Sequence, residues 1–226
     1  MSKEFQKEMY RYTVRGIIQG VGFRPYIYRK AKEHNLVGHV KNIGSGVEIV
    51  VNDRDFIKKL DDLPPIAKIM DYDRIKIEKK YNDFSILKSN ESQGETILPP
   101  DIFMCKDCLS ELRDRSNRRH NYYFITCTNC GPRFSMINDY PYDRPLTSMS
   151  RFRMCNRCEK EYNDPSDRRY HAQTIACKDC GPKLRLLEGK KDISEESDIR
   201  TIKKAVQRIR SGDFISIKGV GGFHIC

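Results

Sequence analysis

Along residues 8–90 the apolar positions change period in a fixed order. Tyr10, Tyr12, Val14 and Gly16 alternate with polar or basic neighbours, as one face of a half-buried strand does. A glycine-rich turn follows. Pro25 then opens the stretch PYIYRKAKEHN, in which Ile27 and Ala31 stand four apart on one helical face. Val37–Lys41 and Val47–Val51 read as two strands around the turn Asn42-Ile43-Gly44-Ser45-Gly46. Asp53 is placed to cap a second helix reaching about Leu60, stopped by Asp61-Asp62-Leu63-Pro64-Pro65. Tyr72–Glu78 and Phe84–Leu87 complete the pattern. The order β-α-β-β-α-β predicts an α+β, ferredoxin-like unit, with two helices over one face of an antiparallel sheet.

Beyond residue 90 the periodicity fades. Residues 91–104, with Gly94 and Pro99-Pro100, read as an extended connector, and from 105 to about 185 cysteine pairs replace apolar periodicity. A charged linker, 187–198, leads to Ile199, Ile202, Val206 and Ile209 at helical spacing, a short strand Phe214–Ile217 and the glycine loop Lys218–Gly222. One helix and one strand bury no core, so this end is expected to be the truncated start of an α/β domain. The expected domains are 1–92, 93–186 and 187–226.

An internal repeat runs through the middle region. Met104-Cys105-Lys106-Asp107-Cys108 recurs as Met154-Cys155-Asn156-Arg157-Cys158, and Cys127-Thr128-Asn129-Cys130-Gly131-Pro132 as Cys177-Lys178-Asp179-Cys180-Gly181-Pro182, both at an offset of 50. Glu111 and Arg118-Arg119 match Glu161 and Arg168-Arg169 at the same offset. Two copies of a unit too small to fold unaided imply a cross-link in each.

Composition sharpens this picture. Only 38% of the 226 residues are hydrophobic and 32% are charged, which favours small domains. No run of 18 apolar residues crosses a membrane, and the start MSKEFQKEMYRYTV lacks the apolar core of a signal peptide, so a cytoplasmic protein is expected. In that compartment nine cysteines read as metal ligands or redox centres rather than structural disulfides. The net charge of +11 is spread over the chain, with an excess of six basic side chains in residues 1–90 and again in 105–187. That balance suits an anionic small ligand at least as well as a nucleic acid.

Two segments carry candidate chemistry in the first unit. Residues 14–25 leave a strand, turn through glycines and enter a helix fixed by Pro25, so the backbone N–H groups of Gln19, Gly20, Val21, Gly22, Phe23 and Arg24 can cradle an anion. The Arg24 guanidinium can grip two phosphate oxygens. The glycine spacing is neither that of a Walker A loop nor that of a dinucleotide-binding loop. Taken alone, the segment also fits a plain glycine turn with a surface arginine. Asn42 likewise fits a turn residue, and His39 a strand side chain.

The eight paired cysteines are the sharper signal. Cys105, Cys108, Cys127 and Cys130 show the spacing Cys-x2-Cys-x18-Cys-x2-Cys, and so do Cys155, Cys158, Cys177 and Cys180. That is the spacing of four-thiolate Zn²⁺ sites, which leave no open position for catalysis, so two structural zinc ions are expected. Spacing does not decide which pairs share an ion; one per repeat is favoured because each repeat holds a complete set. His120 and His171 then read as packing or surface groups, the arginine pairs as a solvated face and Cys226 as a buried strand residue.

Residues 14–24 and 38–46 together resemble the acylphosphatase family, whose VxGxVQGVGFR loop and GxVxNxxxG segment they match, with Ile18 where valine is usual and Glu48 where valine commonly follows. The resemblance implies that Arg24 binds the phosphate of an acyl phosphate and that Asn42 positions the attacking water. The whole order (this domain, the connector Ile97–Asp101, twin four-cysteine repeats, then Lys218–His224) resembles the start of the hydrogenase-maturation carbamoyltransferases of the HypF family. In that family the first domain cleaves carbamoyl phosphate. A YrdC-like domain then uses ATP to form carbamoyl adenylate, and a last domain passes the carbamoyl group to a HypE-type partner. The resemblance therefore implies carbamoyl phosphate as ligand, ATP only in the intact protein, and a chain unable to complete the transfer. A zinc-ribbon nucleic-acid binder and an inactive scaffold are the competing expectations.

Overall fold

The structure is a computed structural model that describes residues 8–89 and 97–226. The first seven residues, part of the 91–104 connector and the expected boundary at 92 lie outside them. The first unit comprises β1 (Met9–Ile17), α1 (Phe23–Glu33), β2 (Gly38–Ile43), β3 (Gly46–Val51), β4 (Lys68–Ile77) and β5 (Phe84–Ile86). The sheet order is β4-β1-β3-β2-β5, antiparallel except for the β2–β5 pair. The fold is ferredoxin-like, as the alternation implied.

Register puts the apolar set on one face. Val14 lies opposite Val47 and Tyr12 opposite Ile49, and these side chains pack with Val40, Val51, Ile27 and Ala31 in one buried cluster. A one-residue slip would turn that set to the other face. Glu48 points the other way, where His39 Nε2 and Lys41 Nζ each lie 3.1 Å from its carboxylate. Its departure from an apolar residue is therefore matched by two neighbours on β2.

The second helix differs from expectation. Only a 3₁₀ turn forms, Phe56–Lys59, and Leu60 is already extended. Ile57, Leu60 and Leu63 are spaced by three, the repeat of a 3₁₀ helix, and Pro64 withholds the helical region from Leu63. Phe56 and Ile57 still fill the core from this turn.

In the cysteine-rich unit the repeat is visible as α2 (Lys106–Arg113) and α3 (Asn156–Asn163), each beginning just after the first cysteine of its set. Cysteine sulfurs are themselves part of two small buried clusters here, one with Tyr122, Phe124, Ile125 and Met149, the other with Ala172 and Ile175. The remainder is the hairpin β6 (Leu187–Glu188) and β7 (Lys191–Asp192), α4 (Asp198–Arg210), and the hairpin β8 (Ser216–Lys218) and β9 (Phe223–Ile225). Ser197 caps α4 by accepting from the Arg200 amide. Cys226, expected inside a strand core, is exposed beside β9. Among the described residues no helix is long and apolar enough to cross a membrane.

The Glu48 carboxyl is held down at about 2, against 4.5 for an ordinary glutamate, first by its hydrogen bond with His39 and then by Lys41, which together outweigh burial. A depressed carboxyl stabilises the fold above its unfolded value and loses that contribution as pH falls toward about 2. Glu48→Gln is expected to cost about 2 kcal/mol at pH 7 in denaturant unfolding. The gap from wild type should narrow steadily below about pH 4.5.

Candidate functional site

The loop between β1 and α1 turns on two glycines with left-handed backbone, Gly20 at φ 72° and Gly22 at φ 80°. Val21 and Phe23 alternate with them and bury their side chains in the core, so the loop presents only its backbone outward. Gly22 stands at the N-cap of α1 with no side-chain cap, no acidic residue follows in the first turn, and Pro25 has no N–H. The early amides of α1 and its positive dipole end are thereby left for an anion.

Gln19 is a strut rather than a ligand-facing group. Fully buried, its Nε2 donates to the carbonyls of Ile43 (2.9 Å) and Gly46 (2.8 Å), tying the loop to the β2–β3 turn. Both of its N–H groups are spent, so only its main chain remains available to a phosphate.

Arg24 and Asn42 meet the same piece of the cysteine-rich unit. The Arg24 Nη2 lies 2.6 Å from Asp143 Oδ1, in a pair whose side chains are 9% and 20% exposed. Ser89 Oγ donates to the other Asp143 oxygen. Asn42 is fully buried on β2; its Nδ2 donates to the Tyr142 carbonyl at 3.4 Å, and its Oδ1 has no hydrogen-bond partner. The Tyr142 amide in turn donates to Gln19 Oε1 at 3.0 Å. One dipeptide, Tyr142-Asp143, thus engages all three side chains that the motifs single out.

Arg133 holds the two units together. It is 2% exposed, and its Nε donates to the Gly20 carbonyl. Its remaining N–H groups reach the carbonyls of Cys127 (3.1 Å), Thr128 (2.9 Å), Cys130 (3.0 Å) and Pro132 (2.9 Å). Carbonyls alone satisfy this buried cation, which adds positive potential behind the loop. A small cavity of about 20 Å³ lies between loop and cysteine unit, lined by Gly20, Gly22, Arg24, Arg133, Tyr142 and His171 among others. His171 is held neutral there, its pKa lowered to about 4 by burial and then by the Arg24 charge.

The cysteines form two complete quartets, one per repeat, with the ligand atoms of each within 4.8 Å of one another. In the first, sulfur separations are 3.7 Å (Cys105–Cys127), 3.7 Å (Cys127–Cys130) and 3.5 Å (Cys108–Cys130). In the second they are 3.8, 3.8 and 3.6 Å for the matching pairs. A tetrahedral ion with metal–sulfur bonds of about 2.3 Å has sulfur–sulfur edges of about 3.8 Å, so both quartets fit one.

The arginine pairs are not a solvated face. Arg119 and Arg169 are buried, and the repeats exchange them. Arg118 and Arg119 pair with Glu161 across the unit, and Arg118 Nη2 donates to Cys158 Sγ at 3.1 Å. Arg168 and Arg169 pair with Glu111, and Arg168 Nη2 donates to Cys108 Sγ at 2.9 Å. Arg119 Nε donates to the Ala176 carbonyl and Arg169 Nε to the Thr126 carbonyl, both at 2.9 Å. Each quartet is therefore covered by cations from the opposite repeat. These inward-facing arginines are lost to any nucleic-acid surface.

Sequence reasoning singled out Gln19, Arg24 and Asn42 but missed Tyr142, Asp143, Arg133 and Ser89. Tyr142 and Asp143 sit in the stretch between the two copies of the repeat; that failure to repeat was the available signal.

Comparison with known proteins follows this division. The acylphosphatase family model matches residues 10–86, and the HypF finger model matches twice, at 104–137 and 154–187. An acylphosphatase of Vibrio vulnificus is 34% identical over 84 residues, covering 34% of this chain and 93% of its own length. A probable carbamoyltransferase HypF of Methanocaldococcus jannaschii is 48% identical over 225 residues, 95% of this chain but 29% of that protein. Among solved structures, full-length HypF in the phosphate- and nucleotide-bound form superposes with a TM-score of 0.85 at 42% identity, covering 96% of this chain and 29% of its own. HypF of T. kodakarensis superposes with a TM-score of 0.83 at 44% identity, covering 96% and 28%. Residues 10–86 are an acylphosphatase domain. The chain belongs to the HypF carbamoyltransferase family and spans under a third of the length of these relatives.

The exchange of arginines makes a crossed prediction. Arg119→Ala, a change in the first repeat, should speed metal release from the second quartet by about 10- to 100-fold. Release from its own quartet should change little. Chelator-competition kinetics, with either quartet disabled by Cys→Ser changes, resolve the two.

Proposed function

We propose that this chain hydrolyses carbamoyl phosphate to carbamate and phosphate, the first step of carbamoyl transfer in hydrogenase maturation. The observation that supports the proposal is that Arg24 and Asn42, 18 positions apart in sequence, both engage the dipeptide Tyr142-Asp143. Arg24 and the loop amides of residues 19–24 gather the phosphoryl oxygens and offset the charge that builds on them. Asn42 is anchored through Nδ2, which leaves its buried, unpartnered Oδ1 to accept from a water molecule and aim its lone pair at phosphorus. Water oxygen bonds to phosphorus as the bond to the carbamate oxygen breaks, and a phosphate oxygen takes the water proton. The leaving group is good enough that neither a covalent nucleophile nor a dedicated base is required.

The two quartets hold zinc in this proposal. Four thiolates at tetrahedral spacing suit Zn²⁺, and a saturated ion serves structure rather than chemistry. Thiolates kept reduced for that purpose agree with a cytoplasmic setting. In the whole protein, ATP and a HypE-type acceptor would complete the transfer. That rests on relatives more than three times as long as this chain.

Arg24→Ala should lower phosphate release from carbamoyl phosphate by about 10²- to 10³-fold, with Lys restoring little because it lacks the planar fork. Asn42→Ala should lower kcat by about 10²-fold while KM stays near wild type, since it orients water rather than substrate. Wild-type rates in Arg24→Ala would remove the hydrolytic assignment.

A further inference from the structure

We propose that Asp143, supplied by the cysteine-rich unit, selects the acyl group by accepting hydrogen bonds from the carbamoyl NH₂. This rests on the hydrolytic function proposed above and names what that site distinguishes.

Acyl phosphates share the phosphoryl end and differ only beyond the bridging oxygen. A loop of main-chain amides and one guanidinium reads the shared end, so it cannot tell carbamoyl phosphate from acetyl phosphate. Discrimination must come from a group that reaches past the phosphate. A carbamoyl group carries two N–H donors where an acetyl group has a methyl, so the discriminating group is an acceptor.

Such an acceptor is fixed beside Arg24. Asp143 is half-buried against Arg24 and Ser89, with one oxygen on each. A carboxylate has about four acceptor positions, so lone pairs remain for an amide. Its contact with Arg24 is made through Nη2 alone, which leaves the Nε–H and the second Nη2–H as a fork for phosphate. The guanidinium then lies against both anions and offsets their repulsion.

Asp143 is also rigidly placed. Tyr142 before it is bonded to Gln19 and Asn42. Arg144 after it is buried and donates to the carbonyls of Gln173, Ile175 and Phe152 at 2.7 to 2.9 Å. Side chains locked on both flanks hold an acceptor where a loop tip would let it swing away. Ser89 and Asp143 both lie outside residues 10–86, the part matched by the acylphosphatase family. A free-standing acylphosphatase, whose length is spanned almost entirely by that part, has no equivalent of residue 143. The finger unit thus adds selectivity to a domain that alone reads only phosphate.

The test is kcat/KM for carbamoyl phosphate and acetyl phosphate, measured on wild type and Asp143→Ala. Loss of a hydrogen bond to a charged acceptor should lower the carbamoyl-to-acetyl ratio by roughly 10- to 100-fold. Acetyl phosphate turnover is measured in the same preparation, so the ratio cancels any effect that the substitution has on both substrates through Arg24. An unchanged ratio overturns the proposal, whether both rates rise (the carboxylate only competes for Arg24) or both fall (it only positions Arg24). Wild type inert toward both substrates overturns the hydrolytic function and this inference together; an active wild type with an unchanged ratio overturns the inference alone.

Discussion

One buried cation braces the glycine loop against the cysteine-rich unit. Arg133 cannot shed its charge, so its burial demands an acceptor for each N–H. The acceptors it finds are the carbonyls of Cys127, Thr128, Cys130 and Pro132 on one side and of Gly20 on the other. Cys127 and Cys130 are members of the first quartet, so the turn that presents those carbonyls is the same turn that brings their sulfurs together. The chain of dependence runs from the quartet to the knuckle carbonyls, to Arg133, to Gly20 and so to the loop. The space is tight enough that a Cβ at Gly20 would lie 3.1 Å from Arg133 Cδ and 3.2 Å from the Tyr142 ring.

The cysteine-rich unit can act as a rigid partner because its repeats are cross-braced. Its apolar clusters are small, too small to fix two helices and several turns alone. Arginines exchanged between the repeats meet a glutamate, a carbonyl and a sulfur on the opposite side, which couples the two quartets directly. The thiolates concentrate negative charge, and the buried arginines answer it from the opposite repeat. The two repeats thereby become one body, and Tyr142-Asp143 and Arg133 both reach from it to the acylphosphatase domain.

Much of this was legible in the residues, and the parts that were not have a common cause. Period-two alternation revealed the strands, and two separated motifs singled out Arg24 and Asn42, which meet the same dipeptide, Tyr142-Asp143. Cysteine spacing implied the metal quartets. The second helix was misread because Ile57, Leu60 and Leu63 repeat every three residues, a 3₁₀ spacing that a coarse helical pattern absorbs. The arginine pairs looked solvated because their acceptors, Glu161, Glu111 and the sulfurs, lie some 40 to 60 positions away. Asp143 and Arg133 escaped for the same reason, at separations of 119 and 113 residues from Arg24 and Gly20. Local propensity carries no trace of a partner that distant. Only the break in the repeat marked the segment as different.

The most direct test of this dependence is to strip the metals with a chelator under reducing conditions and titrate the metal-free chain with inorganic phosphate. Hydrogen exchange would report at the same time on β1 to β3. Phosphate affinity should fall by at least about tenfold while the sheet amides stay protected, because the domain keeps its core but loses the brace on its loop. If the metal-free chain binds phosphate as tightly as the intact one, the loop is self-sufficient and the finger unit plays no part in shaping it.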